Sequence, residues 1–424
     1  MNLPGLDVES RPRPAVPSLY IQTGLLFLIG AAAVIALHPG ALMASPRHNP
    51  VTLVVTHMLV LGFGTLITFG ALEQMVPVIT GRKVTSERYS RTAYALFVPG
   101  LLLQLAGFAA WQPYLIAAGG TLITLGTALF TLPYVPTLWE RLRSDLTAPF
   151  IFSSLIYVNL TVFLGVASAV QLKTLWWPWL FWHGLPFHLI LGGLGWFTQI
   201  IIGVSYKLIP MFITTTGAGD LHVRRVCASF NIGLLLALLS AAGSWTAGAA
   251  AGLTVVGVTC AVYAWDVRGM VKRRIRRRIG AGMKQSLVAV LYLILAAALS
   301  ALLLARALPI DGLSADRWVV VAGLLFACGW VGSVILGMLS KIVPMLVWLD
   351  LFAGRVGERD TPTIAQLIDE RAVGLGGIGY HAGLLTLAVA FAAGHPVAAT
   401  WAAALFLLGV VVLAGTLIGV WSAR

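Results

Sequence analysis

GFGTLITFGALEQMVP (62–77), GWFTQIIIGVSYKLIP (195–210) and GWVGSVILGMLSKIVP (329–344) repeat one pattern: a glycine followed by an aromatic residue, a second glycine eight residues later, and a proline seven residues beyond that. The copies begin 133 and 134 residues apart. Glycine and aromatic residues recur in membrane helices, where small residues let backbones approach. Identical offsets in three places mark instead an internal repeat, and a repeat of this length sets the architecture. Each copy lies in the second of four apolar runs, so the chain reads as a single membrane domain of three four-helix units, about 18–140, 150–270 and 284–421. That predicts a pseudo-threefold arrangement with the second, sixth and tenth helices in equivalent positions, not the two six-helix halves of many transporters.

Composition agrees. Of the 424 residues 59% are hydrophobic and 10% are charged, more apolar than the core of a soluble domain of this length requires, so lipid is the solvent. A helix of about 20 apolar residues crosses the hydrocarbon. Twelve such runs follow one another at roughly 18–37, 51–79, 90–110, 113–137, 150–171, 183–213, 226–245, 247–266, 285–305, 317–348, 371–393 and 397–421. The expected fold class is therefore all-α integral membrane with twelve transmembrane helices. Segments two, six and ten exceed a straight crossing and are expected to tilt or protrude.

Loops after the even-numbered helices carry Arg82, Lys83, Arg88, Arg91, Arg141, Arg143, Arg224, Arg225, the run from Arg268 to Lys284, Arg355, Arg359 and Arg371. The opposite loops carry little beyond Arg47, Lys173, Arg306 and Arg317. The positive-inside rule then places both termini in the cytoplasm and reads the net charge of +13 as a topology signal. The cluster Lys272, Arg273, Arg274, Arg276, Arg277 and Arg278 sits beside a membrane, so anionic lipid is its expected partner and nucleic acid is not. Pro4, Pro12, Pro14 and Pro17 precede the first apolar run, and no small-residue cleavage site follows it, so the first helix is expected to remain. Cys227, Cys260 and Cys328 fall in apolar runs without CxxC spacing, which argues against disulfides, zinc and covalently attached haem.

An ionisable side chain inside the hydrocarbon is unfavourable enough to mark function. Four of the eight histidines fall in loops: His38, His48 and His395 outside, His222 inside. His57 on the second helix and His188 on the sixth enter the membrane to a similar depth, one to two turns. His188, Gly192 and Gly195 share a face of one helix, His57 and Gly64 a face of the other. Imidazole above small residues suits a planar macrocycle whose iron takes an axial histidine; an interhelical hydrogen bond from each imidazole is the competing reading. His183 lies five residues before His188 and diverges from it by about 140° on a helix, so it belongs with Trp176, Trp177, Trp179 and Trp182 in an interfacial aromatic belt. His381, in the eleventh helix, has no polar partner within its own segment.

THMLVLGFGTLITFGALEQMVPVITG (56–81) and FHLILGGLGWFTQIIIGVSYKLIPMF (187–212) resemble helices of the haem-copper oxidase subunit I family, above all its cbb3-type branch. The resemblance implies twelve helices in three four-helix arcs, and haem b with His57 in the place of an axial ligand of the low-spin haem. His188 matches the first histidine of the family's HxH pair, but Ile190 stands where the second would be, and the similar helix is sixth here where the family has it tenth. The tenth helix has no histidine, no adjacent His-His pair occurs anywhere, and Phe187 replaces a tyrosine after His183. Copper is therefore not expected, because its imidazoles are missing. What the resemblance implies is a haem b protein of the bacterial inner membrane; haem bracketed by His57 and His188 between the second and sixth helices is an expectation from the residues, in a compartment that the family leaves without cofactor. The protein's role would be respiratory electron transfer or a redox accessory one, with a cytochrome c or quinol and other respiratory subunits as partners. A cofactor-free permease or assembly factor on the same scaffold, and an oxygen or nitric oxide reductase with an unconventional site, are the alternatives.

One further set of polar residues stands out. Gln74, Lys207 and Lys341 occupy one repeat position, and Glu73 precedes Gln74. They are read either as long side chains snorkelling to the inner surface or as a proton or ion entry cluster in which Glu73 pairs with Lys207 or Lys341.

Overall fold

The computed structural model describes residues 15–44, 49–80, 87–305, 312–355 and 360–423. Pro4, Arg11, Pro12, Arg13, Pro14, Arg47, His48, Arg82, Lys83, Arg306 and Arg359, on which parts of the topology reading rest, lie outside the described residues. No strand occurs among the described residues. Twelve helices are long and apolar enough to cross a membrane: α1 (Ala15–Leu37), α2 (Pro50–Pro77), α3 (Glu87–Ala109), α4 (Pro113–Thr131), α5 (Ala148–Thr174), α6 (Pro178–Ile213), α7 (Asp220–Ala242), α8 (Thr246–Lys272), α9 (Ala281–Leu304), α10 (Ala315–Leu351), α11 (Glu370–Ala393) and α12 (Pro396–Ser422). The protein is a multi-pass helical membrane protein. One expected span is shorter than its apolar run: α4 ends at Thr131, and a separate short helix, Tyr134–Arg141, takes up the rest. Pro133 lacks the N–H that would carry the helix on and crowds the carbonyl one turn back.

Helices α2, α6 and α10 each contain an eight-residue π-helical segment, at Met58–Thr65, Leu191–Thr198 and Leu325–Gly332. These segments are 133 and 134 residues apart, the spacing of the sequence repeat. The residue after each one, Leu66, Gln199 and Ser333, donates its N–H to the carbonyl five residues back. Hydroxyls reinforce the wide turn: Thr65 Oγ1 donates to the Val60 carbonyl at 2.8 Å and Thr198 Oγ1 to that of Gly193 at 2.9 Å, again five residues back. Long π stretches are rare and concentrate at functional sites.

Glycines set the packing of the first helix of each unit on the second. A Cβ on Gly62 would meet the Phe27 ring at 2.5 Å, one on Gly195 the Tyr157 ring at 2.7 Å, and one on Gly329 the Tyr292 ring at 2.6 Å. The three glycines are repeat equivalents, and the three rings come from α1, α5 and α9 in turn. With lipid tails as apolar as the side chains, this close packing, not burial from water, is what holds such helices together. The third and fourth helices of each unit also meet at glycines: Gly100 against the Gly119 carbonyl, Gly233 against that of Gly252, and Gly383 against Phe406.

The chain divides into two compact units. The first takes the segment ending at Ile21, Thr68–Gly107 and Trp111–Ile275; the second takes Gln22–Ile67, Phe108–Ala110 and everything from Arg276. The boundary at 275 and 276 falls in the basic loop after α8, between the second and third sequence repeats, and the first repeat contributes to both units. Helix α10 is the most buried, with 67% of its most apolar window covered against 28% for α9.

Candidate functional site

In the second unit, His57 lies at the last α-helical position before the first π segment. Its Nδ1 is 2.8 Å from the Leu53 carbonyl one turn back, and its ring packs against Phe108 at 4.6 Å between centroids. In the first unit, His188 lies three residues before the second π segment. Its Nδ1 is 3.0 Å from the Thr161 carbonyl on α5. A carbonyl only accepts, so both rings carry the proton on Nδ1 and keep Nε2 as the basic nitrogen. Gly165 on α5 makes room for the second imidazole: a Cβ there would lie 3.2 Å from His188 Cε1. Neither Thr161 nor Gly165 stood out in the sequence, although a glycine in an apolar run always asks what approaches it.

The glycines expected to form a slot for a flat ligand meet protein instead. A Cβ on Gly192 would lie 3.1 Å from Thr161 Cγ2, and the face of Gly195 is filled by the Tyr157 ring. Gly64 is buried within its π segment. His183 stacks on Trp179 one turn back on α6, with centroids 4.9 Å apart and planes 17° from parallel.

The expected pairing of Glu73 with a lysine is replaced by three separate contacts. Lys207 Nζ lies 3.4 Å from Asp145 Oδ2 in the first unit, and Lys341 Nζ lies 2.6 Å from Glu370 Oε1 in the second. Glu73 is buried and accepts a hydrogen bond from Ser90 Oγ at 2.5 Å. The reason is local: Asp145 sits just before α5 and Glu370 opens α11, so each lysine finds a carboxylate at its own end of the bundle.

Other polar groups inside the helices were not foreseen as pairs. Tyr157 OH donates to Asn231 Oδ1 at 2.9 Å, joining α5 to α7. Tyr292 OH lies 3.1 Å from His381 Nδ1, joining α9 to α11, with the rings stacked at 13°. At one end of the first unit, Asp266 Oδ2 on α8 receives both Tyr206 OH and His222 Nε2 at 2.7 Å. His222 therefore belongs to the first turns of α7, not to a loop. Among the described residues no three His, Cys, Asp or Glu side chains form a group that could hold a metal ion. Haem iron needs fewer protein ligands than that, one or two imidazoles.

No protein-family model matches the chain, and no curated protein matches it.

Proposed function

We propose that the protein is a b-type haem protein of the bacterial inner membrane that passes single electrons, with His57 and His188 each as an imidazole ligand to haem iron. The observation that carries the reading is the matched state of those two rings. Each is held by Nδ1–H on a backbone carbonyl, the arrangement that fixes the tautomer of a ligating histidine and raises the basicity of Nε2. The donor set fits iron porphyrin. The glycines do not add to that fit, since Gly192 and Gly195 are packed against α5. When bound, the haem would supply reversible one-electron chemistry; the chain's own part is to orient the imidazoles and to surround them with apolar helices.

In this reading the basic loops face the cytoplasm, and electrons arrive from quinol or a cytochrome c. The likeness of segments 56–81 and 187–212 to haem-copper oxidase helices supports the same assignment. The test is a reduced-minus-oxidised spectrum with pyridine haemochrome quantification on the purified protein. A b-type signal is expected, and His57→Ala or His188→Ala should remove or shift it. An unchanged spectrum and stoichiometry in both variants would end the assignment, and no haem at all would favour the permease or assembly factor.

A further inference from the structure

The second unit holds a line of polar groups along the interface of α9 and α11 that haem ligation leaves unused. At one end Glu370 takes Lys341 Nζ at 2.6 Å and the Ala281 N–H at 2.9 Å, joining the N-termini of both helices to α10. One turn further along α9 is Gln285, which is 4% exposed, and neither its Oε1 nor its Nε2 has a hydrogen-bond partner in the protein. Its Oε1 would lie 3.5 Å from a Cβ on Gly377 of α11. Two turns beyond Gln285 is Tyr292, and one turn beyond Gly377 is His381, the pair already described. His381 Nε2 is buried and also has no partner in the protein.

The spacings put these groups on facing stripes. Ala281, Gln285 and Tyr292 follow the α9 stripe; Glu370, Gly377 and His381 follow that of α11. At about 1.5 Å per residue, Glu370 and His381 are about 16 Å apart along the axis. A buried amide with both ends unmet costs several kcal/mol in hydrocarbon, and three unmet polar atoms on one interface are the signature of internal water.

We propose that the α9–α11 interface is a water-lined proton path, with Glu370 and Lys341 at its mouth, Gln285 holding the water midway, and His381 as the terminal proton acceptor. Nε2 is the ring nitrogen that no protein group bonds, and in the tautomer whose Nδ1–H points to the Tyr292 oxygen it is the basic one. It gains a proton from an adjacent water, that water is reprotonated by the next one outward, and the net proton enters from bulk solvent at Glu370; the reverse sequence returns it. The groups facing His381 leave its charge to the path. Tyr292 comes from α9 and Tyr380 from α11 itself, while α12 has no charged residue over Pro396–Ser422. Lys284 is exposed near the mouth, and Arg317 lies by Gly394 at the far end of α11.

The proposal stands apart from the haem reading, and its test needs no haem signal. The full chain, labelled with nitrogen-15 histidine and held in phospholipid bilayers, is examined by solid-state NMR for magnetisation passing from water to imidazole. The His381 signal, identified by its loss in His381→Gln, should receive water magnetisation and shift with bath pH, and Gln285→Leu should cut the transfer several-fold. A His381 signal that receives nothing from water, or one that Gln285→Leu leaves unchanged, would overturn the proposal. If Gln285→Leu does not fold, the measurement on the unaltered chain decides alone.

Discussion

The Tyr157–Asn231 contact between α5 and α7 and the Tyr292–His381 contact between α9 and α11 fall at matching positions of the sequence repeat and differ in what they leave unmet. In the first, Tyr157 donates to Asn231 Oδ1, and Asn231 Nδ2 is taken up by the Cys227 carbonyl at 2.9 Å, so the amide is closed at both ends. In the second, His381 stands where Asn231 does and its Nε2 is unmet; Gln285, seven residues before Tyr292, is buried with both ends of its amide unmet, whereas Phe150, seven residues before Tyr157, is buried against Gly203 and Tyr206 of α6. Both hang on the same device, a tyrosine ring lying on the repeat glycine. One exchange at the tyrosine's partner, asparagine for histidine, thus separates a contact whose amide is satisfied from one whose imidazole keeps an unmet nitrogen.

The largest effect should come from the shared device. Gly195→Val or Gly329→Val drives a branched side chain into the Tyr157 or Tyr292 ring, and each should cost about 3 kcal/mol, as overpacking does. Thermal unfolding in detergent would show both midpoints falling together, and tolerance of one alone would break the equivalence.

A smaller effect separates the two interfaces. Tyr157→Phe strands the Asn231 carbonyl oxygen in a closed interface and should cost about 1–2 kcal/mol. Tyr292→Phe should cost less, because the imidazole can turn to water; the two unfolding midpoints, compared side by side, decide. The smallest effect has the opposite sign. Gln285→Leu removes an amide that no protein group bonds, together with the water it holds, and puts an apolar side chain of similar size there, so stability should stay level or rise by about 1 kcal/mol. A clear loss would mean that the amide is bonded to protein and not to water.

Much of this was legible in the sequence, and the misses have physical causes. Twelve apolar runs and the triplicated glycine, aromatic and proline spacing follow from composition and period, which lipid leaves little room to override. The π segments were invisible because a five-residue hydrogen-bond step has no compositional mark of its own. Tyr157 with Asn231 and Tyr292 with His381 are 74 and 89 residues apart in the chain, beyond any local pattern. Extending the repeat into α1, α5 and α9 would have aligned Phe27, Tyr157 and Tyr292 and hinted at their common role. Gly192 and Gly195 were assigned to a ligand slot because a sequence shows where a side chain is missing but not what fills the gap. The sequence places Glu73 near the lysines within the repeat, whereas Asp145, from the loop before α5, and Glu370, from the start of α11, are the carboxylates that reach them.

The π segments carry a consequence for how the three long helices are indexed. Each splits its helix into a leading half, which bears His57 or His188 in the first two copies, and a trailing half with Gln74, Lys207 or Lys341 and the repeat proline. A wide turn amounts to a residue inserted without breaking the rod. Were such a segment to tighten into ordinary α-helix at unchanged length, one half would swing against the other by about 100°; deleting one residue at the same time would cancel the swing. The wide turn is therefore what keeps the two ends of each rod facing their proper neighbours.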